Sequence, residues 1–185
     1  MPATTIDPKS ALIVVDLQKG VSNAPVLRPM TEIVQNTNRL IDTFRRHGLP
    51  TIFVVVEGTA PGRTEQARRA PREFPADFSE LIPSLNFETG DPIVKKKTPG
   101  AFTHTDLEQR LKDLGVTQVV ITGVATSSGV ESTARQAYEL GFNVTLATDA
   151  ISDTNEEGEA YSLSRVFPRL GEADSTENLI NLINA

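Results

Sequence analysis

The 185-residue sequence predicts an α/β protein: three α/β/α layers around an open, doubly wound, mainly parallel sheet. Short apolar runs recur without alternating with polar residues, the pattern of strands buried on both faces. Segments of helical period lie between those runs, so strand and helix alternate along the chain. The length suits one domain, residues 1–185, with enough chain to bury a sizeable core.

The elements follow in order. Residues 11–15 are a first strand that runs into Asp16. Residues 31–47 place Ile33, Leu40, Ile41 and Phe44 near one helical face, and Gly48 follows as a stop. Residues 51–56 are a second strand. Residues 58–90 are irregular, with several arginines and with Pro61, Pro71, Pro75 and Pro83. A loop that long in a compact domain is usually functional or a lid. Residues 92–94 are a third strand, followed by Lys95 and Lys96. Thr105-Asp106-Leu107-Glu108 reads as a capping box opening a helix that Gly115 ends. Residues 118–124 are a fourth strand. Ser128-Gly129-Val130-Glu131 has capping-box spacing too and opens a helix ended by Gly141. Residues 142–147 are a fifth strand, and 175–184 a last helix with Leu179, Leu182 and Ile183 on one face.

Eighteen lysines and arginines against 24 aspartates and glutamates leave a net charge of −6. That balance argues against nucleic-acid binding, which usually needs a basic stripe. There is no cysteine, which excludes a disulfide scaffold, a thiolate zinc site and any cysteine nucleophile. Residues 1–10 are polar and hold two prolines, unlike a signal peptide or an anchor. No apolar run approaches the roughly 20 residues that span a bilayer. A soluble cytoplasmic protein without a membrane partner is the expectation.

In a doubly wound sheet, ligands bind beyond the carboxyl ends of the strands. Asp16 stands at the end of the first strand and Lys95 and Lys96 at the end of the third. The fourth runs into Gly123-Val124-Ala125-Thr126-Ser127-Ser128-Gly129, at a helix N-terminus. A carboxyl, a cation and clustered backbone N–H donors are the equipment for proton transfer beside oxyanion stabilisation. Each also has a bland reading: a turn residue, a solvated charge run, a pair of capping serines. His47 and His104 are far apart in the chain, with no carboxylate at ligand spacing, so no metal site is expected. Gly123 and Gly129 have no phosphate-loop lysine after them. A phosphoacceptor receiver domain fails on the chain order Asp, Lys, Thr and on the missing acidic pair.

Val14-Val15-Asp16-Leu17-Gln18, then Lys96 six residues before Phe102, then Thr105-Asp106-Leu107, form an ordered set. The run from Thr122 through Gly129 to Arg135 and the segment Phe167-Pro168-Arg169-Leu170-Gly171 complete it. In this order the chain resembles the isochorismatase-like hydrolases, the superfamily of isochorismatases, nicotinamidases and N-carbamoyl amidases. The resemblance implies a Rossmann-like, isochorismatase-like sheet, usually in a homo-oligomer. It implies a site of aspartate, lysine and cysteine, which map onto Asp16, Lys96 (Lys95 if the register slips by one) and Gly129. It also implies a cis peptide between Val124 and Ala125, with backbone N–H groups at Val124, Ala125 and Gly129 serving the oxyanion. Metal-binding relatives carry a histidine-rich set after the second strand. Residues 56–60 and the rest of the long loop hold no histidine, so no metal and no cofactor are expected.

Glycine at 129 removes the covalent route. The resemblance to isochorismatases, which also lack cysteine there, implies Asp16 as a general acid toward a vinyl ether, with water capturing the oxocarbenium carbon. A second route has Asp16 as base, activating water against an amide or ureide carbonyl. Ser127 or Ser128 as replacement nucleophile lacks a histidine to take its proton. Gln18, Phe102 and Ser128 are candidate substrate-binding residues. The other class of function is an inactive family member that binds a small carboxylate or amide.

Overall fold

The computed structural model describes residues 2–65 and 74–185. Its strands are β1 (Ser10–Val15), β2 (Thr51–Val56), β3 (Ile93–Lys96), β4 (Gln118–Val124), β5 (Asn143–Ser152) and β6 (Glu172–Asp174). Its α-helices are α1 (Met30–Arg46), α2 (Leu107–Asp113), α3 (Glu131–Glu139), α4 (Glu156–Tyr161) and α5 (Thr176–Asn184). Among the described residues the strands form one sheet in the order β3-β2-β1-β4-β5-β6. Every neighbouring pair is parallel.

Successive residues of β1 enter opposite cores, which explains why its sequence does not alternate. Ala11, Ile13 and Val15 pack with Leu107, Leu111 and Ala134 of α2 and α3. Leu12 and Val14 pack with Ile33, Leu40, Ile41, Phe44 and Leu179 of α1 and α5. The sheet is therefore the middle of three layers. The chain winds outward from β1 through β2 to β3, then restarts at β4 and winds the other way. The ends of β1 and β4 flank the point where the direction switches, where open α/β sheets form their binding crevice.

Several boundaries differ from the sequence reading. β3 continues through Lys95 and Lys96, because its backbone stays paired with Val55 and Val56. β5 runs five residues past 147, crossing an irregularity in its pairing with β4. β6 has no strand signal in the sequence, being three half-buried residues of which two are acids. α4 has no helix signal either, being a short turn-and-a-half without an apolar stripe.

Neither capping box forms. Asp106 is the N-cap of α2 and makes no side-chain cap. Thr105 Oγ1 instead donates to the Ala101 carbonyl and accepts from Leu107 N, while Glu108 pairs with Lys112. Ser128 lies inside a π-helical turn, Thr126–Val130, that precedes α3, and Glu131 accepts from Arg135 and Ser162. In α5, Leu179 is buried as expected, with Ile180 and Ile183 rather than Leu182 packed beside it. Of the long loop, residues 66–73, including Pro71, lie outside the described residues. Its described parts join the sheet's edge through an isolated bridge between Gln18 and Leu81 and meet the core through Leu85, with Leu81 and Ile82 packed beside it. No described helix is long and apolar enough to cross a membrane.

Candidate active site

Three strand ends deliver the site. β1 ends at Val15, and the next residue, Asp16, takes a left-handed backbone conformation, φ 55°. Non-glycine residues seldom adopt it, aspartate more readily than most. The turn is tied on both sides: Asp16 N donates to Val54 O at 2.9 Å, and Gln18 N donates back to Asp16 O at 2.9 Å. β3 ends at Lys96, whose side chain is 1% exposed. Lys96 Nζ lies 2.9 Å from Asp16 Oδ2 and donates to the Pro99 carbonyl at 2.5 Å.

β4 supplies the third part. Gly123 has φ 114°, and a Cβ there would sit 1.9 Å from the Val15 carbonyl oxygen, so no side chain fits between β4 and β1. The Val124–Ala125 peptide is cis. The π-helical turn follows and brings Gly129 against the ion pair. A Cβ on Gly129 would lie 3.0 Å from Asp16 Oδ2, 3.1 Å from Val124 O and 3.3 Å from Lys96 Nζ. Asp16, Lys96 and Gly129, widely separated along the chain, thus meet at one point.

The electrostatics of the pair are unequal. Burial raises the Asp16 carboxyl, and the charge and hydrogen bond of Lys96 pull it back down; the balance stands at about 6. Asp16 Oδ1 is buried and has no hydrogen-bond partner among the described residues. An unsatisfied buried carboxylate oxygen is costly, so that atom favours the protonated form.

A cavity of about 1,070 Å³ opens over this point. Asp16, Lys96, Val124, Ala125, Ser128 and Gly129 line its inner end. Val21, the segment after β2 and the segment after β3 line the rest, with Thr59, Lys97 and Thr98 among them. Lys95, the fallback for Lys96, points elsewhere: it is exposed and pairs with Glu57 at 3.4 Å.

Two candidate substrate-binding residues have other work. Gln18 is fully buried and does not line the cavity. Its amide nitrogen donates to the Val56 and Phe78 carbonyls, each at 2.9 Å, and its oxygen accepts from Val56 N at 2.7 Å. It clamps β1 to β2 and to the long loop. Phe102 belongs to the core beneath α2 and α3 and stacks on Phe142 with centroids 6.1 Å apart. Ser128 does line the cavity and is exposed. Neither histidine is near: His47 binds Asn184, and His104 is exposed in the turn before α2. Among the described residues no three histidine, aspartate or glutamate side chains are grouped to hold a metal ion.

The sequence reading missed Asp153, buried at the end of β5 and bonded to the π-helical turn. A strand that stops at 147 leaves Asp153 without a place beside the other strand ends. It also missed Val21, Thr59 and Thr98, ordinary loop residues that carry no signal of their own.

The Isochorismatase domain family matches residues 10–178. The isochorismatase family protein YwoC of Bacillus subtilis is 36% identical over 181 residues, 95% of this chain and 94% of that one. Nicotinamidase 3 of Arabidopsis thaliana is 34% identical, covering 82% of this chain and 78% of its own. Among solved structures, an isochorismatase family protein from Burkholderia thailandensis superimposes with a TM-score of 0.93, at 33% identity over 98% of each chain.

Proposed function

Because the chain belongs to the isochorismatase family, whose members are generally hydrolases, we propose that it hydrolyses a small vinyl ether, amide or ureide by non-covalent acid–base chemistry centred on Asp16. One observation carries this reading. A buried carboxyl poised at about 6 abuts Lys96 and Gly129, a position with no side chain to act as nucleophile.

The two substrate types use Asp16 in opposite protonation states. Toward a vinyl ether, the protonated carboxyl gives its proton to the terminal carbon, and water adds to the oxocarbenium carbon; the hemiketal then breaks to a ketone and an alcohol. Toward an amide or ureide, the carboxylate takes a proton from water as it attacks the carbonyl carbon, and the protonated carboxyl returns that proton to the nitrogen as the C–N bond breaks and the amine leaves. Backbone N–H groups around Val124, Ala125 and Gly129 would hold the resulting oxyanion. Lys96 steadies the carboxylate through one N–H, gives a second to Pro99, and keeps a third for a negative group on the substrate. Ser128 is a wall of this pocket. The reaction is metal-independent in this reading, and the protein is a homo-oligomer, as the sequence resemblance implies, working in the cytoplasm, as the composition suggests.

A second reading has one observation in its favour: glycine at 129 equally suits a family member that binds a small carboxylate or amide without turnover. A screen of vinyl ethers, amides and ureides, run with the parent and Asp16→Asn, separates the two. The expected outcome is a compound turned over by the parent and at least about 100-fold more slowly by Asp16→Asn, the usual range for a positioned proton donor or acceptor. Turnover of that compound by Asp16→Asn within a few-fold of the parent removes Asp16 from the chemistry. Thermal-shift binding with no turnover of any compound selects the binding reading. The pH profile of kcat/KM assigns the role: an acid loses activity as pH rises through about 6, and a base gains it.

A further inference from the structure

Asp153 is 3% exposed, at the end of β5, and no cation pairs with it among the described residues. A buried carboxylate without a counter-ion must be held by hydrogen bonds. Here backbone N–H groups and the Ser127 hydroxyl do it. Oδ2 accepts from Ser127 N at 2.6 Å, and Oδ1 accepts from Thr154 N at 2.8 Å and Asn155 N at 3.1 Å. Burial pushes this carboxyl up, and those donors outweigh burial and leave it below the ordinary carboxylate range.

Ser127 belongs to the turn that carries Gly129 past Asp16 and Lys96. That turn makes no side-chain cap of its own. Its other side-chain supports from outside are Thr126 Oγ1 donating to Glu159 of α4 at 3.2 Å and Thr133 Oγ1 of α3 donating to the Gly129 carbonyl at 2.7 Å. The same strand end also holds the segment that carries Val21, a lining residue of the cavity: Leu27 N donates to Asp153 O and Arg28 N to Ser152 Oγ, both at 2.8 Å.

We propose that Asp153 is a positioning residue of this site: its carboxylate sets the turn Thr126–Val130 against the Asp16–Lys96 pair, and its strand end ties that turn to the segment 21–28, which carries Val21. The proposal rests on the cavity being the active site. Its chemical content is that the donors meant for an oxyanion are held in place partly by a carboxylate outside the cavity: Ser128 N and Val130 N bond back to Ala125 O and Val130 is anchored in the core, while Ser127 N is held by Asp153.

Asp149 is a matched control. It lies on the same strand, and its Oδ1 caps α5 by accepting Thr176 N and Oγ1, each at 2.7 Å, on the other side of the sheet from the turn. Amide hydrogen exchange is compared for the parent, Asp153→Ala, Asp153→Asn and Asp149→Ala. Asp153→Ala is expected to speed exchange across residues 126–130 at least tenfold, with Asp149→Ala leaving that segment unchanged. An asparagine has one acceptor oxygen for two sets of donors, so Asp153→Asn falls between parent and alanine and serves alone if the alanine variant does not fold. Equal exchange at 126–130 in the Asp153 and Asp149 variants overturns the proposal.

The second readout uses the vinyl ether, amide or ureide whose turnover depends on Asp16. Asp153→Ala is expected to lower kcat roughly 10- to 100-fold with KM within about threefold, since donors to an oxyanion act in the transition state. The pH break set by Asp16 should stay in place. Kinetics matching those of Asp149→Ala also overturn it. If Asp16→Asn proves indifferent, the proposed chemistry fails while the exchange result still stands or falls on its own.

Discussion

The proton affinity of Asp16 is set by a contest between burial and one ammonium group. Lys96 is 2.9 Å away, close enough that the carboxyl would titrate low in water, yet burial wins and leaves it near 6. Gly129 is part of that contest because it lets both groups approach the turn. A Cβ there meets Asp16, Val124 and Lys96 at 3.0 to 3.3 Å, so the neighbours must give by a few tenths of an ångström. Gly129→Cys is therefore expected to cost about 1–3 kcal/mol in urea unfolding, the range for overpacking. Its thiol would stand beside Lys96, an environment that favours thiolate. Alkylation by iodoacetamide faster than a free thiol, with slow amidase or esterase activity, is the expected gain. A folded variant that resists alkylation shows that position 129 does not face the cavity.

Elements matter here by where they stop. β1, β3 and β4 end at the same edge of the sheet because parallel pairing puts all their carboxyl ends on one side. The register then sets the depth of each end: Val15 lies beside Gly123, and Lys96 beside Val56. The helices hold this edge from both faces, and their caps show how local sequence can mislead. Ser175 caps α5 although no capping box marks it, accepting from Asn178 N at 3.3 Å. Thr105, which opens a capping-box sequence, donates instead to the Ala101 carbonyl at 2.6 Å, a bond that needs the folded turn before it exists. Ser175→Ala should lower stability by about 1 kcal/mol, measured by urea unfolding. Glu108→Ala tests the missing box on α2 and should cost no more than its exposed pair with Lys112, a few tenths of a kcal/mol.

At the scale of the whole molecule, the ionised carboxyl buried in the candidate site weakens the fold. The folded carboxyl of Asp16 titrates near 6, above its ordinary value of 3.8. Between those values the folded state binds more protons than the unfolded state. Stability contributed by protonated Asp16 is therefore complete at low pH and is lost as pH rises through about 6. At about 1.36 kcal/mol per pH unit the loss is on the order of 3 kcal/mol. Subtracting the unfolding free energy of Asp16→Asn from that of the parent should give a difference that falls from about pH 4 to 6 and then levels off. A flat difference means that Asp16 titrates normally in the folded protein. Asp153 and Asp174, held low by hydrogen bonds that outweigh their burial, act in the opposite direction and lose their contribution as pH falls. We expect one cooperative transition throughout, since the two cores share every central strand.

The layered architecture was legible because strands buried on both faces, such as Ala11 to Val15, must be apolar throughout, a property of composition that needs no partner to be seen. Asp16 was legible because it directly follows such a run; the run 92–94 pointed equally to Lys95 and Lys96, and the family resemblance singled out Lys96 and Gly129. Other features depended on contacts between residues remote in sequence. Gln18 became a clamp because β2 places Val56 and the long loop places Phe78 around its amide. Phe102 joined the core because Phe142 lies beneath it. β6 is a strand because Thr145 to Ala147 offer it an edge. Local sequence determines which segments can be strand or helix, since propensity and burial act residue by residue. The proton affinity of Asp16, the seat of the turn on Asp153 and the walls of the cavity were decided by the tertiary structure, because they arise from distances that exist only once the strand ends are side by side.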